Sequence, residues 1–132
     1  MMRGSCLCGT VAYEIRGEPL LMYYCHCGTC QKATASSFAT NLAVKTDDFV
    51  IVAGRDALTA YESSPNKHRY FCSKCGSPIY SQAYATKEIV SVRAGTLDGD
   101  PGVRPAIHGY VASKAPWFEI LDGLPQKPGN FA

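Results

Sequence analysis

The sequence predicts a mainly β domain, a sandwich or folded-over sheet with little helix. Three features carry this expectation: many short runs rich in β-branched and aromatic residues, Gly/Pro/Asp clusters between them, and weak helical periodicity throughout. Thr10 to Arg16 alternates apolar and polar residues as a half-buried strand does. Further strands are expected at Leu20 to Tyr24, Phe38 to Val44, Phe49 to Val52 and Leu58 to Tyr61. His68 to Phe71, Ile79 to Tyr84 and Ile89 to Arg93 follow, with two short pieces near Tyr110 and Phe118. Asp47-Asp48, Ala53 to Asp56, Ser64-Pro65-Asn66 and Asp98 to Gly102 supply turns. One helical turn is expected, at Thr29 to Ala35. Residues 1–122 should form a single domain. Residues 123–132, with two prolines and two glycines, should form an irregular tail that Leu124 and Phe131 could pin to the body.

The totals fit one globular domain: 132 residues, 46% of them hydrophobic, with a mean hydropathy of -0.08. A formal net charge of +2, with no long run of like charge, gives no electrostatic footprint for nucleic acid or a membrane surface. No stretch approaches the roughly 18–20 apolar residues of a membrane span. Met1 to Ser5 leads into the first cysteines without the apolar segment of a secretory signal. A cytoplasmic, reducing setting is therefore expected. There seven cysteines read as metal ligands or reactive thiols before they read as disulfides.

The cysteines fall into three clusters: Cys6-Leu7-Cys8-Gly9, Cys25-His26-Cys27-Gly28-Thr29-Cys30 and Cys72-Ser73-Lys74-Cys75-Gly76. Zinc takes soft, deprotonated ligands in a tetrahedron, and cysteine pairs from distant parts of a chain complete a four-sulfur cage. Cys6 and Cys8 with Cys72 and Cys75 would make a closed site. Cys25, Cys27 and Cys30 would then hold a metal with one position left for water or substrate. The spacing leaves alternatives open: the central cluster could pair with an end cluster, be closed by His26 or His108, or form a redox-sensing thiol set.

The clusters and their surroundings resemble the glutathione-dependent formaldehyde-activating enzymes, which share a domain with centromere protein V. The resemblance rests on Gly4 to Tyr13, Cys25 to Lys32, Phe71 to Ser77, His108 to Trp117 and Asp122-Gly123-Leu124-Pro125. It implies the Mss4-like fold of folded β-sheets, stapled by a structural zinc on Cys6, Cys8, Cys72 and Cys75. It also implies a second, labile zinc on Cys25, Cys27 and Cys30. The activity implied is that of a carbon–sulfur lyase, condensing glutathione with formaldehyde to S-hydroxymethylglutathione.

An open three-thiolate zinc can hold a substrate thiolate or polarise a carbonyl. Three thiolates carry formal negative charge that weakens the metal as an electrophile, so thiolate binding or metal exchange is the favoured chemistry. His26 could hydrogen-bond a sulfur or move a proton, and His108 is expected at the rim of the site. Gln31 and Lys32 follow the ligands on the helical turn, whose first amides could face an anionic substrate. Lys32, Arg69 and Lys114 could pair with glutathione carboxylates. Two other classes remain at this stage: a non-catalytic zinc module that binds a partner, and a redox-responsive protein that releases zinc. The sequence does not fix the oligomeric state.

Overall fold

The structure is a computed structural model, described here for residues 1–130; Phe131 lies outside them. Ten strands and one short α-helix form two sheets among the described residues. The smaller sheet joins β1 (Met2–Ser5), β2 (Ala12–Ile15) and β5 (Phe49–Ala53) in the order β1-β2-β5. The larger contains β3 (Leu21–Cys25), β4 (Ala39–Lys45), β6 (Leu58–Ser64) and β7 (Lys67–Cys72). It is completed by β8 (Pro78–Ala83), β9 (Ile89–Arg93) and β10 (His108–Gly109), in the order β10-β3-β4-β9-β8-β7-β6. All its pairings are antiparallel except β10 on β3, where His108 lies opposite Tyr24 and Gly109 opposite Cys25. The mainly β expectation holds.

The alternation that marks β2 puts Tyr13 and Ile15 into the interior, where Val11, Leu42, Val44, Ile79, Val90 and Val92 meet them. Cys6, just after β1, and Cys72, the last residue of β7, sit in that same core, so the two sheets share a cysteine-lined seam.

Two expectations need correction. Met2–Ser5 is a strand that the sequence conceals, because Gly4 interrupts any alternation. Gly4 is required there: a Cβ would lie 2.3 Å from the Tyr13 ring and 2.6 Å from the Thr96 carbonyl oxygen. Near Phe118 there is a turn instead of a strand. Phe118 packs edge-on against Phe38, 5.2 Å between ring centres, so its apolar character serves a packing contact and not a ladder. Residues 123–130 run beside 108–112. The His108 amide donates to the Pro125 carbonyl, the Lys127 amide to the His108 carbonyl, and the Tyr110 amide to the Gly129 carbonyl.

Candidate metal centres and their surroundings

Cys6 and Cys8 follow β1, and Cys72 and Cys75 close β7 and the turn after it. Their four sulfurs lie within 4.8 Å of one another. Cys6 Sγ is 3.6 Å from Cys8 Sγ, and Cys8 Sγ is 3.9 Å from Cys72 Sγ. Four sulfurs placed tetrahedrally about 2.3 Å from a zinc are about 3.8 Å apart, so the spacing fits such an ion. Turn geometry explains the approach: Gly9 and Gly76 both take φ near +80°, a conformation that costs glycine nothing. The Gly9 and Gly76 amides donate back to the Cys6 and Cys72 carbonyls. Thr10 Oγ1 and Ser77 Oγ stand 3.2 and 3.4 Å from Cys8 and Cys75. The Ser77 contact is the main reason the Cys75 thiol is drawn down to about 5.

Cys25, Cys27 and Cys30 form the second group, also with sulfurs within 4.8 Å of one another. Cys25 ends β3. Cys27 caps the helix α1 (Gly28–Thr34), its sulfur accepting from the Cys30 amide at 3.2 Å. Cys30, one turn into α1, then faces the same point. The helix stops at Ala35, which takes the left-handed conformation and donates to the Gln31 carbonyl. Hydrogen bonds from Cys25 and Cys27 hold the Cys30 thiol far below its ordinary value, with Arg69 and Arg93 reinforcing the effect. The same sulfur contacts push Cys25 up.

A cavity of about 560 Å³ reaches this group, with Cys25 and Cys30 in its wall. Tyr23, Asn41, Ser81 and Ser91 line its floor, and Arg93 and Lys67 contribute cations. No Asp or Glu is among its lining residues.

Behind the cysteines runs a chain of three polar groups. His26 Nε2 lies 2.8 Å from His108 Nδ1, and His108 Nε2 lies 3.0 Å from both Asp122 oxygens. A carboxylate on Nε2 makes that nitrogen the donor of His108; its Nδ1 then accepts from His26 Nε2–H. The exposures are 0% for His26 and 2% for His108, so neither ring meets solvent. Burial lowers the His26 pKa. His26 Nδ1 has no partner among the described residues. Aromatic rings enclose the pair: Tyr24 stacks on His108 at 4.8 Å, and Phe38 packs on His26 at 5.1 Å.

The expected site residues are thus distributed unevenly. His108 is interior and not at a rim, both ring nitrogens being engaged. Gln31 uses its amide nitrogen on the backbone, donating to the His26 and Ser113 carbonyls at 2.8 Å each, which ties the cysteine loop to residue 113. Lys32 is exposed beside a second cavity with Thr29, Tyr61 and Arg69. Lys114 donates to the carbonyls of Ala115 and Phe118. Arg69 turns inward, its Nη1 and Nη2 at 3.8 and 3.9 Å from Cys30 Sγ. Sequence reasoning missed Arg93, Asn41 and the role of Asp122. For Arg93 the only signal was a charged residue closing the apolar run Ile89 to Val92.

A family model described as glutathione-dependent formaldehyde-activating enzyme matches residues 1–113. The chain belongs to that family. A Halomonas elongata protein named for the same family is 30% identical over 129 residues, covering 91% of this chain and 81% of the relative. The fold is also similar to the crystal structure of a Rhodobacter sphaeroides protein. That match has a TM-score of 0.64 and 28% identity, and covers 79% of this chain and 92% of the other. In this family context both cysteine groups could hold metal ions, the four-sulfur group at the seam and the three-sulfur group beside the cavity.

Proposed function

We propose that the chain is a zinc-dependent carbon–sulfur lyase of the formaldehyde-activating type, forming or cleaving an adduct between glutathione, or a similar thiol, and a small aldehyde. The observation that carries this reading is the unequal pair of cysteine groups. Cys6, Cys8, Cys72 and Cys75 would hold a structural zinc. Cys25, Cys27 and Cys30 would hold a labile one at the wall of a cavity large enough for a small thiol. A zinc held there would lower the pKa of a substrate thiol and so stabilise its thiolate at neutral pH.

The chain's own residues do the rest. Cys27, as helix cap, fixes the first turn of α1 and with it the direction of Cys30. Gln31 fastens the loop that carries Cys25 and Cys27 to Ser113. The buried His26–His108 pair, anchored on Asp122, holds the other side of that loop. The cavity brings thiol and aldehyde together in one enclosed volume, where proximity favours addition. The reaction joins the thiol sulfur to the aldehyde carbon; the thiol proton ends on the new hydroxyl oxygen. All seven cysteines are free, as a cytoplasmic setting would keep them. Among the described residues, no helix is long and apolar enough to cross a membrane.

The test is NMR exchange between glutathione and formaldehyde in the presence of zinc-loaded protein. Exchange faster than in buffer, lost in Cys27→Ser, supports the reading. An unchanged rate with both zincs bound refutes it.

A further inference from the structure

Arg69 and Arg93 are among the least exposed charged residues in the molecule, at 9% and 5%. A buried cation needs a counter-charge. None of the ion pairs with carboxylates in the described structure includes either residue. Arg69 gives Nε to Ser63 Oγ at 3.0 Å and directs its two terminal nitrogens at Cys30 Sγ. Arg93 gives Nη1 to Asn41 Oδ1, a neutral acceptor, and its Nε is buried without a partner. Cys30 Sγ is the ionisable group that Arg69 reaches, and Arg93 shares one cavity wall with Cys25 and Cys30.

We infer that Arg69 and Arg93 are positioning residues that supply the counter-charge of the three-cysteine site, so that a metal held there takes an anionic fourth ligand, a thiolate, in preference to a neutral one. The inference rests on the proposal that Cys25, Cys27 and Cys30 hold a metal. A divalent ion with three thiolates is one unit negative, which disfavours a fourth anion. Two guanidiniums beside it reverse the sign, and a thiolate then brings the group to neutrality. This changes the expectation drawn from the cysteines alone, which left the site negative.

The cavity agrees independently. Its wall carries Arg93 and Lys67 and no carboxylate. It extends along β9 from Arg93 to Ile89, the five residues of that strand, or roughly 13 Å. An anionic thiol can lie along it without meeting a carboxylate among the lining residues.

The experiment uses the full chain with cobalt(II) replacing the native metal, since sulfur-to-cobalt charge-transfer bands report a thiolate entering as fourth ligand. Wild type, R69Q, R93Q and the charge-retaining R69K and R93K are titrated with 2-mercaptoethanol and, separately, with imidazole as a neutral ligand. Wild type should bind two cobalt ions. Each glutamine variant should weaken thiol binding by at least about tenfold while imidazole binding moves less than about threefold. Each lysine variant should restore most of the thiol affinity.

Equal weakening of both ligands, or no weakening with two cobalts retained, overturns the counter-charge role. Lysine variants as impaired as the glutamine ones overturn it as well. Should the glutamine variants fail to fold, a wild-type preference for imidazole over the thiol would overturn it. A wild-type chain that takes only one cobalt refutes the three-cysteine metal site itself, and the inference with it.

Discussion

Replacing Cys72 with serine should unfold the seam between the sheets well below the temperature at which the parent melts. Cys72 is fully buried, lies in the core with Cys6, and joins the end of β7 to the loop after β1. A structural zinc contributes about 10–16 kcal/mol in small domains, as much as the whole stability of about 5–15 kcal/mol expected of a single domain. Losing only a third of it costs about 4 kcal/mol. For 132 residues the entropy of unfolding is about 0.28 kcal/mol per degree, so that loss lowers Tm by about 14 °C. Calorimetry with metal analysis of the same samples measures it. Cys27→Ser is the control: it should also lose one metal, yet keep Tm within about 4 °C, because serine is itself a good helix cap. A Cys72→Ser protein that has lost a metal and still melts within about 4 °C of the parent would refute the clamp.

Other consequences follow from individual contacts. Gly4→Ala should destabilise by about 1–3 kcal/mol in denaturant titrations, because the Thr96 carbonyl that meets its Cβ is backbone and cannot swing aside. His108→Leu should cost about 1–3 kcal/mol, since it strands the buried His26 Nε2, and should speed release of the metal proposed at Cys25, Cys27 and Cys30. Tyr13 is buried with its hydroxyl 2.7 Å from Thr96 Oγ1, and burial raises its pKa to about 12. The unfolded chain, with an ordinary tyrosine near 10, loses that proton first. The share of stability due to Tyr13 is therefore complete below pH 10 and should fall by about 2–3 kcal/mol as pH rises to 12, read as the difference between parent and Tyr13→Phe unfolding at stepped pH.

Strands with clean patterns were legible. Ile89 to Arg93 was expected with the bounds observed, and Phe49 and Leu58 began strands where their apolar runs began. Met2–Ser5 was not, because its glycine is explained only by the Tyr13 ring on the neighbouring strand and the Thr96 carbonyl, both distant from it in sequence. The three cysteine clusters were legible because ligand chemistry demands local spacing; which clusters meet was left open by the spacing and rested on the family resemblance. Their electrostatic surroundings were not. Arg69 and Arg93 come from strands remote from Cys30 in sequence, and only the pairing of β9 with β4 and the fold of β7 bring them to its sulfur. His108 was expected at the rim of the site and is interior. Its stacking on Tyr24 and its link to Asp122 exist only once β10 lies along β3.

The claim at the centre of this account is that the seven cysteines make two unequal metal sites. Zinc per chain, measured before and after incubation with millimolar glutathione followed by gel filtration, tests it most directly. Two zincs are expected, of which one leaves, with alkylation then labelling Cys25, Cys27 and Cys30 while Cys6, Cys8, Cys72 and Cys75 stay protected. One zinc per chain at the outset, or two that leave together with all seven thiols labelled, would contradict it.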